Sequence, residues 1–91
     1  MPSIDIRRRH AKSTKEARAA VERVAAKISE KFDVECAWSG NTLAFERSGV
    51  NGEIALGKGE VRITANLGFL LLALKGPIEA EIHKVLEREF G

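Results

Sequence analysis

Two histidines, one cysteine and a short run of arginines are the residues of this 91-residue chain whose side chains could do chemistry. A histidine base needs a carboxylate or a nucleophile at a recognisable spacing, and neither accompanies His10 or His83. His83 has Glu79 and Glu87 four residues away on either side, which on a helix makes a solvated pair worth about 0.2–0.5 kcal/mol. Glu79, Glu81 and His83 alternate, so on a helix they do not share a face and cannot converge on one metal ion. Cys36 falls on an inward strand position, where a free cysteine behaves as a small hydrophobe, whereas a nucleophilic thiolate wants an exposed, electropositive site. A lone cysteine also excludes an intramolecular disulfide and any multi-cysteine zinc site. Gly57-Lys58-Gly59 is a tight turn between strands with no helix start behind it to receive a phosphate. The expectation is a chain with no catalytic centre, no cofactor and no metal.

The sharpest charge cluster is Arg7-Arg8-Arg9-His10, extended by Lys12 and Lys15. One reading makes Arg7, Arg8, Arg9 and Lys12 a basic patch for nucleic-acid phosphate or another anionic surface. The other makes the cluster an edge strand guarded by charge against edge-to-edge pairing. Strand alternation points Arg7 and Arg9 one way and Arg8 the other, and four Phe and one Trp at mostly inward positions offer no base-stacking platform. Nucleic acid is therefore the lesser expectation. The net charge of +2 covers an asymmetry: residues 1–31 carry nine Lys/Arg against four Asp/Glu, residues 32–91 six against nine. Two solvated faces explain this, as would a basic end steering an anionic partner.

The elements that must position these residues can be read from periodicity. Ile4 and Ile6 alternate with Asp5 and Arg7, a short strand. Ser13-Thr14-Lys15-Glu16 is a capping box, and Ala17, Ala20, Val21, Val24, Ile28 and Phe32 repeat at helical spacing, so residues 14–32 form an amphipathic helix. Beyond Asp33 the period is two. Val34/Cys36/Trp38, Leu43/Phe45, Ile54/Leu56 and Val61/Ile63/Ala65/Leu67 mark four strands, separated by turns at Ser39–Asn41, Ser48–Gly52 and Gly57–Gly59. Ile78, Ile82, Val85, Leu86 and Phe90 make the stripe of a second helix over residues 77–90, with Pro77 suited to its first turn.

This order predicts one α+β domain over residues 1–91, a two-layer sandwich of β-α-β-β-β-β-α order. An antiparallel sheet in the order first, fifth, fourth, third, second is covered on one face by both helices, a reduced helix-grip-like arrangement by fold analogy. Between the last strand and the last helix runs Phe69-Leu70-Leu71-Leu72-Ala73-Leu74, apolar on every side. In so small a domain little remains to cover its outer face, and exposed apolar patches mark contact sites. Phe69, Leu70, Leu71 and Leu74 are accordingly the expected partner-binding residues, whether for a second copy in a homodimer, an apolar surface or another protein. A cavity between sheet and helices, holding a small apolar ligand, is a further reading of the same architecture. No apolar run reaches the ~20 residues of a membrane span and the N-terminus lacks signal-peptide character, so the cytoplasm is the expected compartment.

Ile4-Asp5-Ile6-Arg7-Arg8-Arg9-His10, Glu16-Ala17-Arg18, Trp38-Ser39-Gly40-Asn41-Thr42-Leu43, and above all Leu67-Gly68-Phe69-Leu70 through Lys75-Gly76-Pro77-Ile78-Glu79 resemble the polyhydroxyalkanoic acid system proteins. These are small proteobacterial proteins encoded near the genes of polyhydroxyalkanoate granules and their phasins. The resemblance spans nearly the whole chain and brings no catalytic signature. It implies a role in the storage-polyester system, with the granule or a phasin as partner. Phasins are largely helical, so a chain that is mostly sheet would be an accessory component and not a coat protein.

Overall fold

A computed structural model describes residues 3–90, apart from the side chain of Leu70. Strand β1 (Ile4–Arg9) leads into helix α1 (Thr14–Phe32), followed by β2 (Glu35–Ser39), β3 (Thr42–Arg47), β4 (Val50–Gly57) and β5 (Glu60–Leu67). A 3-10 helix over Phe69–Leu74 then runs directly into α2 (Lys75–Phe90). The strands form one antiparallel sheet in the order β1-β5-β4-β3-β2, as the periodicity predicts.

The capping box at the start of α1 is formed. The Ser13 hydroxyl accepts the Glu16 N–H at 3.2 Å, and the Glu16 carboxylate accepts the Ser13 N–H at 3.3 Å. The Ser13 N–H, and the Ser13 hydroxyl donating to the same carboxylate at 3.0 Å, favour its ionised form and hold Glu16 below its ordinary range. Ala17, Ala20, Val21, Val24, Ala25 and Ile28 are buried. The small side chains among them let α1 approach the layer beneath. Ile82, Val85, Leu86 and Phe90 bury the matching stripe of α2. Arg23–Glu89 and Lys31–Glu81 ion pairs tie the two helices together along their outer edges.

Helix α1 ends on Asp33 in the left-handed conformation (φ 55°, ψ 47°), its N–H donating to the Ser29 carbonyl. A residue with a Cβ is disfavoured there and glycine is not. Asp33→Gly is therefore expected to raise stability by about 0.5–1 kcal/mol, read as a higher urea midpoint at unchanged m.

Three expectations need correcting. First, β4 starts at Val50, four residues before the apolar pair Ile54/Leu56, and the β3–β4 turn is only Ser48-Gly49. Gly49 takes φ 85°, which closes a two-residue hairpin and leaves Asn51 and Gly52 free to pair in the sheet. Second, Gly76-Pro77 does not separate two elements. The helix is already running at Lys75, and Pro77 lies within the first turn, where its missing N–H has no intrahelical carbonyl to meet. Third, Cys36 is exposed. It sits opposite the buried Phe45, on the helix-covered face. However, β2 is an edge strand, and the side chain faces an open groove between α1 and β2.

Candidate functional site

The 3-10 helix is held at its start by two glycines. The Gly68 N–H donates to the Gly49 carbonyl at 2.7 Å, and a Cβ on Gly68 would meet that oxygen at 3.2 Å. This close approach ties the end of β5 to the β3–β4 turn and fixes where the apolar run leaves the sheet. A 3-10 helix has three residues per turn, so six consecutive apolar side chains are distributed all round it. One side faces the core: Leu71 is half-buried against it, and a Cβ on Gly49 would touch its Cδ1 at 3.2 Å. The other side faces solvent, with Phe69 88%, Leu72 46% and Leu74 47% exposed. Of the four residues expected to bind a partner, Phe69 lies on this outer surface, Leu71 turns inward, and Leu74, one turn after Leu71, is half exposed while also facing the cavity beneath. Leu70 lies outside the described residues as far as its side chain goes. Leu72 is the member that the sequence reading missed; without a period in the run, nothing in it distinguishes inner from outer positions.

Beneath the 3-10 helix is a cavity of about 70 Å³ with an almost wholly apolar lining, bounded by Phe32, Phe45, Val50, Leu71, Leu74 and Ile78 among others. Arg47 stands at its edge and donates to the Phe32 carbonyl, at the end of α1, at 2.8 Å.

The basic residues do not form one patch. Arg8 shares the face of Ile4 and Ile6 and reaches Glu87 of α2 at 3.3 Å, whereas Arg7 and Arg9 lie on the uncovered sheet face. On that face Arg62 grips Asp5 through two hydrogen bonds of 2.8 and 2.9 Å. The guanidinium holds the Asp5 carboxyl below its ordinary range. Lys12 is half-buried in the loop after β1, its N–H donating to His10 Nδ1 at 3.1 Å. Register places Arg9 opposite Glu60 and Ile4 opposite Ala65. The basic end therefore lies about 23 Å along β5 from Leu67 and the apolar segment, at ~3.3 Å per residue.

The other reactive groups stay apart. The His10 ring stacks at a tilt on Phe90, with centroids 5.1 Å apart. His83 is exposed on α2. Partial desolvation against the groove wall pushes the exposed Cys36 thiol up from its ordinary value, the direction opposite to that of an activated nucleophile. Arg18 lies 3.8 Å over the Trp38 ring and donates to the Gly40 carbonyl, which occupies the one indole. Among the described residues no cluster of His, Cys, Asp and Glu could hold a metal ion, and no helix is long and apolar enough to cross a membrane.

The fold and the segment thus define a small α+β sheet-and-helix protein whose distinctive feature is an apolar helical turn outside the core. A family model described as putative polyhydroxyalkanoic acid system protein matches residues 4–90, and the chain belongs to that family. No curated protein and no solved structure matched the chain.

Proposed function

We propose that this protein is a non-enzymatic accessory component of the polyhydroxyalkanoate system, and that it acts by laying the 3-10 helix against the granule surface. The observation that carries the reading is the outward face of that helix, where Phe69 and Leu72 stand one turn apart in solvent with the half-exposed Leu74 beside them, while Leu71 anchors the segment from within. Isolated exposed side chains are ordinary, but three large ones within six residues concentrate apolar surface in one segment. Membership in the family links the chain to the polyhydroxyalkanoate system, whose polyester granule would offer an apolar surface to such side chains. The contact needs no contribution from Arg7, Arg8 or Arg9, which are at the far end of the sheet.

Co-sedimentation with purified polyhydroxyalkanoate granules tests the reading. Phe69→Asp combined with Leu72→Asp is expected to reduce the pelleted fraction at least tenfold, with an unchanged circular-dichroism spectrum because neither residue supports the core. At ~2 kcal/mol per removed apolar contact the loss could be larger still. Unchanged pelleting of the folded double variant would place the contact elsewhere. Retention that depends instead on Arg7 and Arg9, and falls with salt, would favour an anionic partner such as nucleic acid.

A further inference from the structure

The cavity under the 3-10 helix combines an apolar interior with a single cationic group at its edge. Phe32 closes it from the end of α1, Phe45 and Val50 from the sheet, Leu71 and Leu74 from the 3-10 helix and Ile78 from α2. The Arg47 stem lines the cavity edge, and its exposed guanidinium is held beside the end of α1 by a bond to the Phe32 carbonyl, which uses one of its five N–H donors. It makes no ion pair among the described residues. An apolar void of this kind stays dry, and one of ~150 Å³ accepts the six carbons of benzene. A volume of about 70 Å³ scales to a chain of roughly three carbons.

We propose that this cavity is a binding site for a short aliphatic carboxylate, with the chain enclosed by the apolar walls and the carboxylate on the free donors of Arg47. A guanidinium fork suits a carboxylate better than it suits a hydroxyl or an amide, so the site selects an acid head and a short tail together. The site goes beyond the surface reading and is tested separately from it: Leu74 belongs to both, but Phe69 and Leu72 are not among its walls.

The test is a methyl NMR titration of the full chain with sodium butyrate, sodium acetate and n-butanol at constant ionic strength. Butyrate is expected to shift the methyls of Val50, Leu71, Leu74 and Ile78 saturably. It should bind about fifteenfold tighter than acetate, from two added methylenes at ~0.8 kcal/mol each, and at least fivefold tighter than butanol. Arg47→Gln brings butyrate to the level of butanol, and Val50→Phe, which fills the cavity, removes both. The Phe69→Asp/Leu72→Asp variant, which tests the surface contact, retains butyrate binding within twofold. Absence of saturable shifts at those methyls would overturn the proposal and identify a packing void only. Equal binding of acetate and butyrate, an Arg47→Gln variant without effect, or loss of butyrate binding in the surface variant would each overturn it as well.

Discussion

Replacing Ile63 by alanine is expected to lower stability by about 3–4 kcal/mol. Ile63 is wholly buried in β5, between Ile6 of β1 and Ile54 of β4, with both helices packed on that face of the sheet. Neighbours on every side are held by strand pairing, so the site cannot collapse around the missing atoms, and the cavity term adds to the lost burial. For a chain of this length total stability is about 5–13 kcal/mol, so the change removes a large fraction of it. Urea unfolding should show a lower midpoint at unchanged slope. Thr64→Ala, on the uncovered face, should shift stability by no more than about 0.5 kcal/mol.

Gly52→Ala is expected to cost about 2–3 kcal/mol, or roughly 10–20 °C in Tm, although it adds one methyl group. The new Cβ would overlap the Thr64 carbonyl oxygen and lie 2.7 Å from Phe45 Cζ and 2.9 Å from the Ala65 Cα. Two of those three neighbours are backbone within the sheet and cannot give way without breaking the ladder. Phe45 lies directly opposite Gly52, so its ring covers the space that a side chain would fill. Adding Phe45→Leu should therefore recover no more than about 1 kcal/mol of the loss, since the carbonyl contact remains. Full recovery in the double variant would show that the ring alone enforces the glycine.

These two positions also show what could be read in the sequence. Ile63 belongs to a strict alternation from Val61 to Leu67, and that period placed β5 correctly and fixed its inward face. The capping box at Ser13 and the stripe of α1 were equally legible, because capping and amphipathicity are local properties. Gly52 was hidden. Val50-Asn51-Gly52 contains a glycine and an asparagine and reads as a turn, yet it is a strand because Phe45, seven residues earlier, supplies the apolar cover that Gly52 lacks. Cys36 misled for the complementary reason. Alternation predicts which face a side chain takes but not whether a helix lies over it, and at the β2 edge α1 leaves an open groove.

For the candidate site the limits were similar. An unbroken apolar run announces itself in any sequence, but a run without a period cannot say which side chains point outward, so Leu72 was missed and Leu71 was grouped with the surface. The cavity was foreseeable only as a consequence of the two-layer architecture. Its walls come from α1, the sheet, the 3-10 helix and α2, and the bond from Arg47 to the Phe32 carbonyl joins residues that no spacing rule connects.

The most direct measurement places an environment-sensitive fluorophore on the outward face of the 3-10 helix. In a Cys36→Ala background, Phe69→Cys carries the label, and Ala44→Cys, on the uncovered sheet face, serves as the control. On addition of polyhydroxyalkanoate granules the label at position 69 should shift to the blue and become protected from aqueous quencher, while the label at 44 stays unchanged. A label at position 69 that remains fully solvated on protein pelleted with granules would contradict the account.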